Sequence, residues 1–269
     1  MSCFSADFAT AQGLPSLDSL AGKALFEKTW VSAPASTAAS DGLGPFFNAR
    51  SCSTCHPRGG RGDLADSLII VTDDPVYGEF LQTRAVQGLR AEAQVRLVTR
   101  DHIKLFEDGT EVVMHQPAYE LDDMQYGELH KPVSARIAPS LAGLHLLEQV
   151  PVEYLESIAD PDDINGDGIS GRISEVPEVA TGKLMTGRFG WKAESYSLTM
   201  QIAKALSLDM GLGNSIFPSA FGDCTQDQAN CLQMAAGNSP SSTDPEVSDT
   251  ILGLLLTYLQ GLAPAHQQG

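Results

Sequence analysis

Apolar residues at Leu17, Leu20, Ala21, Ala24 and Leu25 recur at helical spacing, so the pattern predicts an amphipathic helix there. It ends before the Ser/Ala/Thr-rich run Ser32–Ser40, which reads as a loop. From Leu68 to Met114 the period changes. Leu68–Val71 is β-like, and Val95, Leu97 and Thr99 alternate with polar residues. Asp108-Gly109 separates Ile103–Phe106 from Glu111–Met114, the arrangement of a β-hairpin. Helical signals return over Pro139–Gln149 and Val152–Ala159, and a longer helix is expected over Ser195–Leu208 with Leu198, Ile202, Ala205 and Leu206 on one face. The last helix has a capping box in Thr243 and Glu246 and an apolar stripe of Val247, Ile251, Leu254, Leu255, Tyr258 and Leu262. There is no internal repeat. The pattern predicts a mainly α domain over residues 17–265, with a β insertion near residues 65–118 and residues 1–16 as an extension.

One motif changes the picture. Cys52-Ser53-Thr54-Cys55-His56 has the spacing by which haem c is attached: two thiols add across the vinyl groups and the adjacent histidine reaches the iron. A thioredoxin-like pair is expected beside a βαβ pattern, which the flanking Gly42–Pro45 and Gly59–Gly62 do not suggest. A structural zinc site needs a second tight Cys/His pair, and none follows. The expectation is one covalent haem c on Cys52, Cys55 and His56 in a cytochrome c-like domain.

Composition narrows the partners. The 269 residues carry 34 acidic and 17 basic side chains, a net charge of −17. Such a surface repels nucleic acid and anionic membranes; it either steers a basic redox partner or merely confers solubility. No apolar run is long enough to span a bilayer. Met1–Ser19 lacks the basic start and apolar stretch of a signal peptide, although haem c is attached after export. A periplasmic protein whose targeting segment has been removed reconciles the two. Cys3 is either an incidental thiol or a former lipid-attachment site. Cys224 and Cys231 enclose a short polar loop, for which a disulfide is the favoured reading in an exported protein.

The stretch Gly42–Gly62 resembles the first haem-binding segment of bacterial di-haem oxidoreductases, a family labelled thiol oxidoreductases and related to di-haem cytochrome c peroxidases. Further similarities are Arg136–Leu141, Leu146-Leu147-Glu148, Asp160–Asp163 through Gly171-Arg172, Gly187–Ala193 and Asp209-Met210-Gly211, in family order across nearly the whole chain. The resemblance implies peroxidase-like chemistry in which one haem binds peroxide and another supplies electrons. Family members usually continue into a second haem domain with its own C-x-x-C-H. Its absence from this sequence leads us to expect a truncated chain, a partner haem on another polypeptide, or function with one haem. His145 stands where the family usually has a small residue.

The iron's sixth position separates an electron carrier from a peroxidase. Candidates are Met114, His115, His145, Met200 and Met210, and Met210 is the expected distal ligand. Glu148 is either the acid–base group that moves a proton between peroxide oxygens or an exposed helix-end carboxylate. Trp191 is a stepping stone for electrons or core. Arg58 and Arg61 pair with haem propionates or are surface cations. Asp163, Asn165 and Asp167 follow the D-x-N-x-D-G opening of a calcium loop, but Ser174 occupies the twelfth position, leaving a looser calcium loop or an ion-free turn. The competing functions are a peroxidase-like haem oxidoreductase, a monohaem electron-transfer cytochrome, and a haem- and calcium-containing docking subunit.

Overall fold

The computed structural model describes residues 15–37, 39–235, 237 and 245–264. Its helices are α1 (Leu17–Glu27), α2 (Cys52–Cys55), α3 (Val152–Ile158), α4 (Leu198–Met210), α5 (Ala229–Leu232) and α6 (Asp249–Gln260). Its strands are β1 (Phe46–Phe47), β2 (Leu68–Asp74), β3 (Gly78–Leu81), β4 (Arg84–Ala85), β5 (Gln94–Leu105), β6 (Glu111–Asp122), β7 (Ser134–Ile137), β8 (Glu175–Pro177) and β9 (Leu184–Thr186).

The expectation of a mainly α fold is corrected: helix and strand each take up about a quarter of the chain. Two physical causes account for the excess of strand. Strands form outside the expected insertion: β1, which pairs with β4, β7, which pairs with β2, and the pair β8–β9, all antiparallel. The hairpin also runs much further than its tip, because β5 and β6 stay in register from Leu105–Glu111 back to Gln94–Asp122. Helix is lost in turn over Pro139–Gln149. Gly143 is left-handed (φ 70°), so only a 3₁₀ turn over Leu144–Gln149 forms.

Two cores result. In the first, α1, α4 and α6 pack together around Phe26, Leu198, Ile202, Leu206, Leu255 and Leu259. Gly22 makes the α1–α6 approach possible, since a Cβ there would lie 2.0 Å from the Leu254 carbonyl oxygen. Phe26 and Tyr258 then meet with ring centroids 5.2 Å apart. The second core gathers Ile70, Tyr77, Leu81 and Ala93 under the sheet β3-β2-β7, against Val95, Tyr119 and Leu121 from the base of the hairpin. The distal hairpin projects into solvent. α6 starts later than the sequence suggests: Ser248 is its N-cap, accepting the Ile251 N–H, while Val247 precedes the helix and bridges Asn214. Thr243 and Cys3 lie outside the described residues. Cys224 and Cys231 form a disulfide. Among the described residues no helix is long and apolar enough to cross a membrane.

Candidate haem site

α2 is a single turn, started by Ser51, whose hydroxyl accepts the Thr54 N–H at 3.2 Å. Residues three apart on one turn share a side, so Cys52 and Cys55 face the same cavity. Phe26 of α1, Leu255 and Leu259 of α6, and Leu141 and Leu144 supply apolar wall. A further wall is α4, through Leu198, Gln201, Ile202, Ala205, Leu206, Asp209 and Met210. The cavity, partly open to solvent, spans ≈ 670 Å³ of space free of protein atoms, and His56 belongs to its lining.

The end of α4 is set against the cysteine segment by its own unsatisfied carbonyls. The Asp209 carbonyl accepts N–H groups from Asn48 (2.8 Å) and Ala49 (3.0 Å), and the Met210 carbonyl accepts that of Gly44 (2.9 Å). Gly44 and Gly211 make this contact possible: a Cβ on Gly44 would meet the Gly211 Cα at 2.5 Å, and Gly211 is left-handed (φ 65°). The Asp209 and Met210 side chains therefore share a cavity with cysteines more than 150 positions earlier in the chain.

Electrostatics mark these groups for different tasks. Burial, reinforced by Asp209, pushes both the Cys52 and Cys55 thiols up to about 12, the opposite of a thiol–disulfide exchange pair. They are free thiols, not joined to each other. Burial lowers the His56 pKa, keeping the ring neutral near pH 7. Its Nδ1 lies 2.8 Å from the Pro139 carbonyl, so Nδ1–H donates there and Nε2 keeps its lone pair. Burial pushes Asp209 up to about 7. Its Oδ1 and the Gln201 Oε1 are shielded from solvent and have no hydrogen-bond partner among the described residues. Two thiols, a neutral imidazole with a fixed tautomer, apolar walls and two orphaned polar atoms suit a tethered haem. They do not suit a hydrated ion.

Of the sixth-ligand candidates, only Met210 lines the cavity. Met200 is buried elsewhere, and Met114 and His115 sit on the exposed hairpin. His145 lies in the 3₁₀ turn outside the lining. Glu148 also lies outside it; its Oε1 accepts the Leu198 N–H at 2.8 Å, placing a carboxylate on the N-terminus of α4. Trp191 is 55% exposed with the Arg136 guanidinium 5.4 Å from its ring centroid, so it is not core. Arg58 and Arg61 are exposed and line no part of the cavity. In the Asp163–Asp167 loop the carboxylates turn back on the backbone: Asp163 accepts the Gly168 N–H (3.1 Å) and Asp167 that of Ile169 (2.8 Å). Among the described residues, no three His, Cys, Asp or Glu side chains gather as a metal site.

Sequence reasoning missed Pro139, Gln201 and Asp209. Pro139 and Asp209 stood inside segments already singled out by resemblance, but only the fold shows what they face.

A helical cavity with a C-x-x-C-H turn in its wall is the arrangement expected of a c-type haem protein. The family model described as "Di-haem oxidoreductase, putative peroxidase" matches residues 9–100 and 92–268, and the chain belongs to that family. No curated protein and no solved structure matches it.

Proposed function

We propose that this chain is an exported c-type haem oxidoreductase, peroxidase-like, holding one covalent haem c in the α1–α4–α6 cavity. The observation that carries the reading is the placement of Cys52, Cys55 and His56 on one wall and Met210 on α4, with the His56 tautomer fixed by Pro139. Cys52 and Cys55 would hold the group through thioethers, and His56 Nε2 would ligate its iron. A haem bound there would supply one-electron transfer and chemistry on a small oxidant such as peroxide. The apolar walls exclude bulk water, while Gln201 and Asp209 offer hydrogen bonds to a small molecule sharing the cavity. Arg58 and Arg61 stand close enough in sequence to His56 to meet the propionates. The disulfide supports an oxidising compartment such as the periplasm. The electron donor is a redox partner protein or a second haem domain, with the exposed Trp191 as entry point.

Met210 on the cavity wall favours one second reading, a monohaem electron carrier. Two measurements decide. After expression with haem-attachment machinery, the wild type retains its haem in acid-acetone, and Cys52→Ala/Cys55→Ala releases it; retention by the variant refutes the attachment. The ferric spectrum of the wild type contains a high-spin or cyanide-sensitive fraction. A wholly low-spin spectrum unaltered by cyanide or peroxide identifies the carrier. Calcium at Asp163, Asn165 and Asp167 is a separate proposal resting on residue order alone: Asp163→Ala/Asp167→Ala abolishes bound calcium in metal analysis, and unchanged stoichiometry ends it.

A further inference from the structure

The last carbonyls of α4 are satisfied from two directions. The cysteine segment takes those of Asp209 and Met210, whereas the Leu208 carbonyl accepts the Gln82 Nε2–H at 2.8 Å. Gln82 is 2% exposed and follows directly on β3. Its side-chain amide also donates to the Phe80 carbonyl at 3.3 Å, and these two acceptors fix the amide's orientation.

What holds Gln82 is a buried carboxyl group. Glu92, 1% exposed, accepts the Gln82 backbone N–H on Oε2 at 2.6 Å and the Gln228 side-chain amide on Oε1. The Glu92 N–H in turn donates to the Gln82 carbonyl at 3.0 Å. Gln228 is fully buried inside the loop closed by Cys224–Cys231. Its Oε1 accepts the Thr225 N–H at 2.8 Å, and its carbonyl accepts that of Cys231 at 2.9 Å. A second tie runs beside the first, because Gly222 abuts the same helix end: a Cβ there would lie 2.6 Å from the Gly211 Cα. The disulfide loop is thus joined through Gln228, Glu92 and Gln82 to the residue that precedes Asp209 and Met210.

We propose that Glu92 is a positioning residue for the haem cavity: with Gln82 and Gln228 it transmits the constraint of the Cys224–Cys231 loop to the Leu208 carbonyl, and so fixes where Asp209 and Met210 stand on the wall. Its carboxylate touches neither the cavity nor its contents. It acts because both oxygens are used by buried donors that have no water to turn to. Freeing α4 there loosens its grip on the cysteine segment.

The haem side of this inference rests on the function proposed above, so its test has one readout that needs no haem. Glu92→Gln keeps the side-chain volume but opposes an N–H to one of two donors; Gln82→Met removes the amide and leaves Glu92 intact. In variants that remain folded by circular dichroism, hydrogen exchange at the amides of Gly44, Asn48 and Ala49 accelerates by about tenfold, since these amides bond the freed helix end. In haem-loaded protein the ferric absorption bands and midpoint potential shift. Cys224→Ser/Cys231→Ser moves the same amides in the same direction. Unchanged exchange in folded variants overturns the proposal. Faster exchange with unaltered bands and potential overturns its extension to the haem. If Glu92→Gln does not fold, Gln82→Met decides. A wild type lacking covalent haem defeats the proposed function instead, and exchange still judges the positioning.

Discussion

His56 shows how little of a residue's role lies in its identity. The imidazole keeps the Nε2 lone pair free because the Pro139 carbonyl occupies Nδ1–H at 2.8 Å. Glu148 shows the converse. Its sequence context allowed an acid–base role, but its carboxylate binds the first N–H of α4. A capping acceptor and a proton donor respond differently to amidation. Glu148→Ala should cost about 0.5–2 kcal/mol, as for loss of a helix cap, whereas Glu148→Gln retains the acceptor oxygen and much of that stability. At roughly 2–4 °C per kcal/mol for a chain of this size class, thermal melts of the pair resolve the difference. Equal loss of peroxidase turnover in both variants, without a stability difference, would restore the acid–base assignment.

Among the elements, α4 does most to assemble the cavity. Its N-terminus is closed by Ser197, which accepts the Met200 N–H at 3.1 Å, and by Glu148; its C-terminus rests on Asn48, Ala49 and Gly44. The local pattern revealed the helix and its apolar face within a few residues. It did not reveal the Gly44–Gly211 crossing, which depends on two backbones meeting. Gly44→Ala places a Cβ 2.5 Å from the Gly211 Cα, and backbone on both sides cannot yield as a flexible side chain does. We expect about 1–3 kcal/mol of destabilisation, measured by urea or thermal unfolding. A melting temperature equal to the wild type's would contradict the packing. The hairpin taught a related lesson. Its turn was legible from Asp108-Gly109, but the twelve-residue register of β5 on β6 was not, because Val98 and Asp101 interrupt the alternation that Val95, Leu97 and Thr99 begin, and Pro117 reads against a continuous strand.

For the molecule as a whole, buried carboxylates set the response to pH. Burial pushes Glu92 from 4.5 up to about 8 and Asp223 from 3.8 up to about 7, against the opposing effect of their hydrogen bonds. Between the unfolded and folded values the native chain keeps protons that the unfolded chain has released. The stabilisation is therefore complete below the ordinary carboxylate range and is lost as pH rises through about 7 to 8. Chemical unfolding at a series of pH values should show stability falling from pH 5 to pH 8. Glu92→Gln should flatten that slope, and an unchanged slope would remove Glu92 as its source.

The C-x-x-C-H spacing, α1, the start of the hairpin and the main run of α4 were legible in the chain alone, because each depends on residues within one turn or one strand of each other; the family was legible because its segments recur in order along the sequence. The balance of helix and strand, the partner of His56, the choice of Met210 over four other candidates for the cavity wall, and the burial of Asp209 and Glu92 depended on the fold. Each of these is a contact between segments tens to more than a hundred residues apart, and local periodicity carries no information about which distant backbone will supply the missing hydrogen bond or exclude the water.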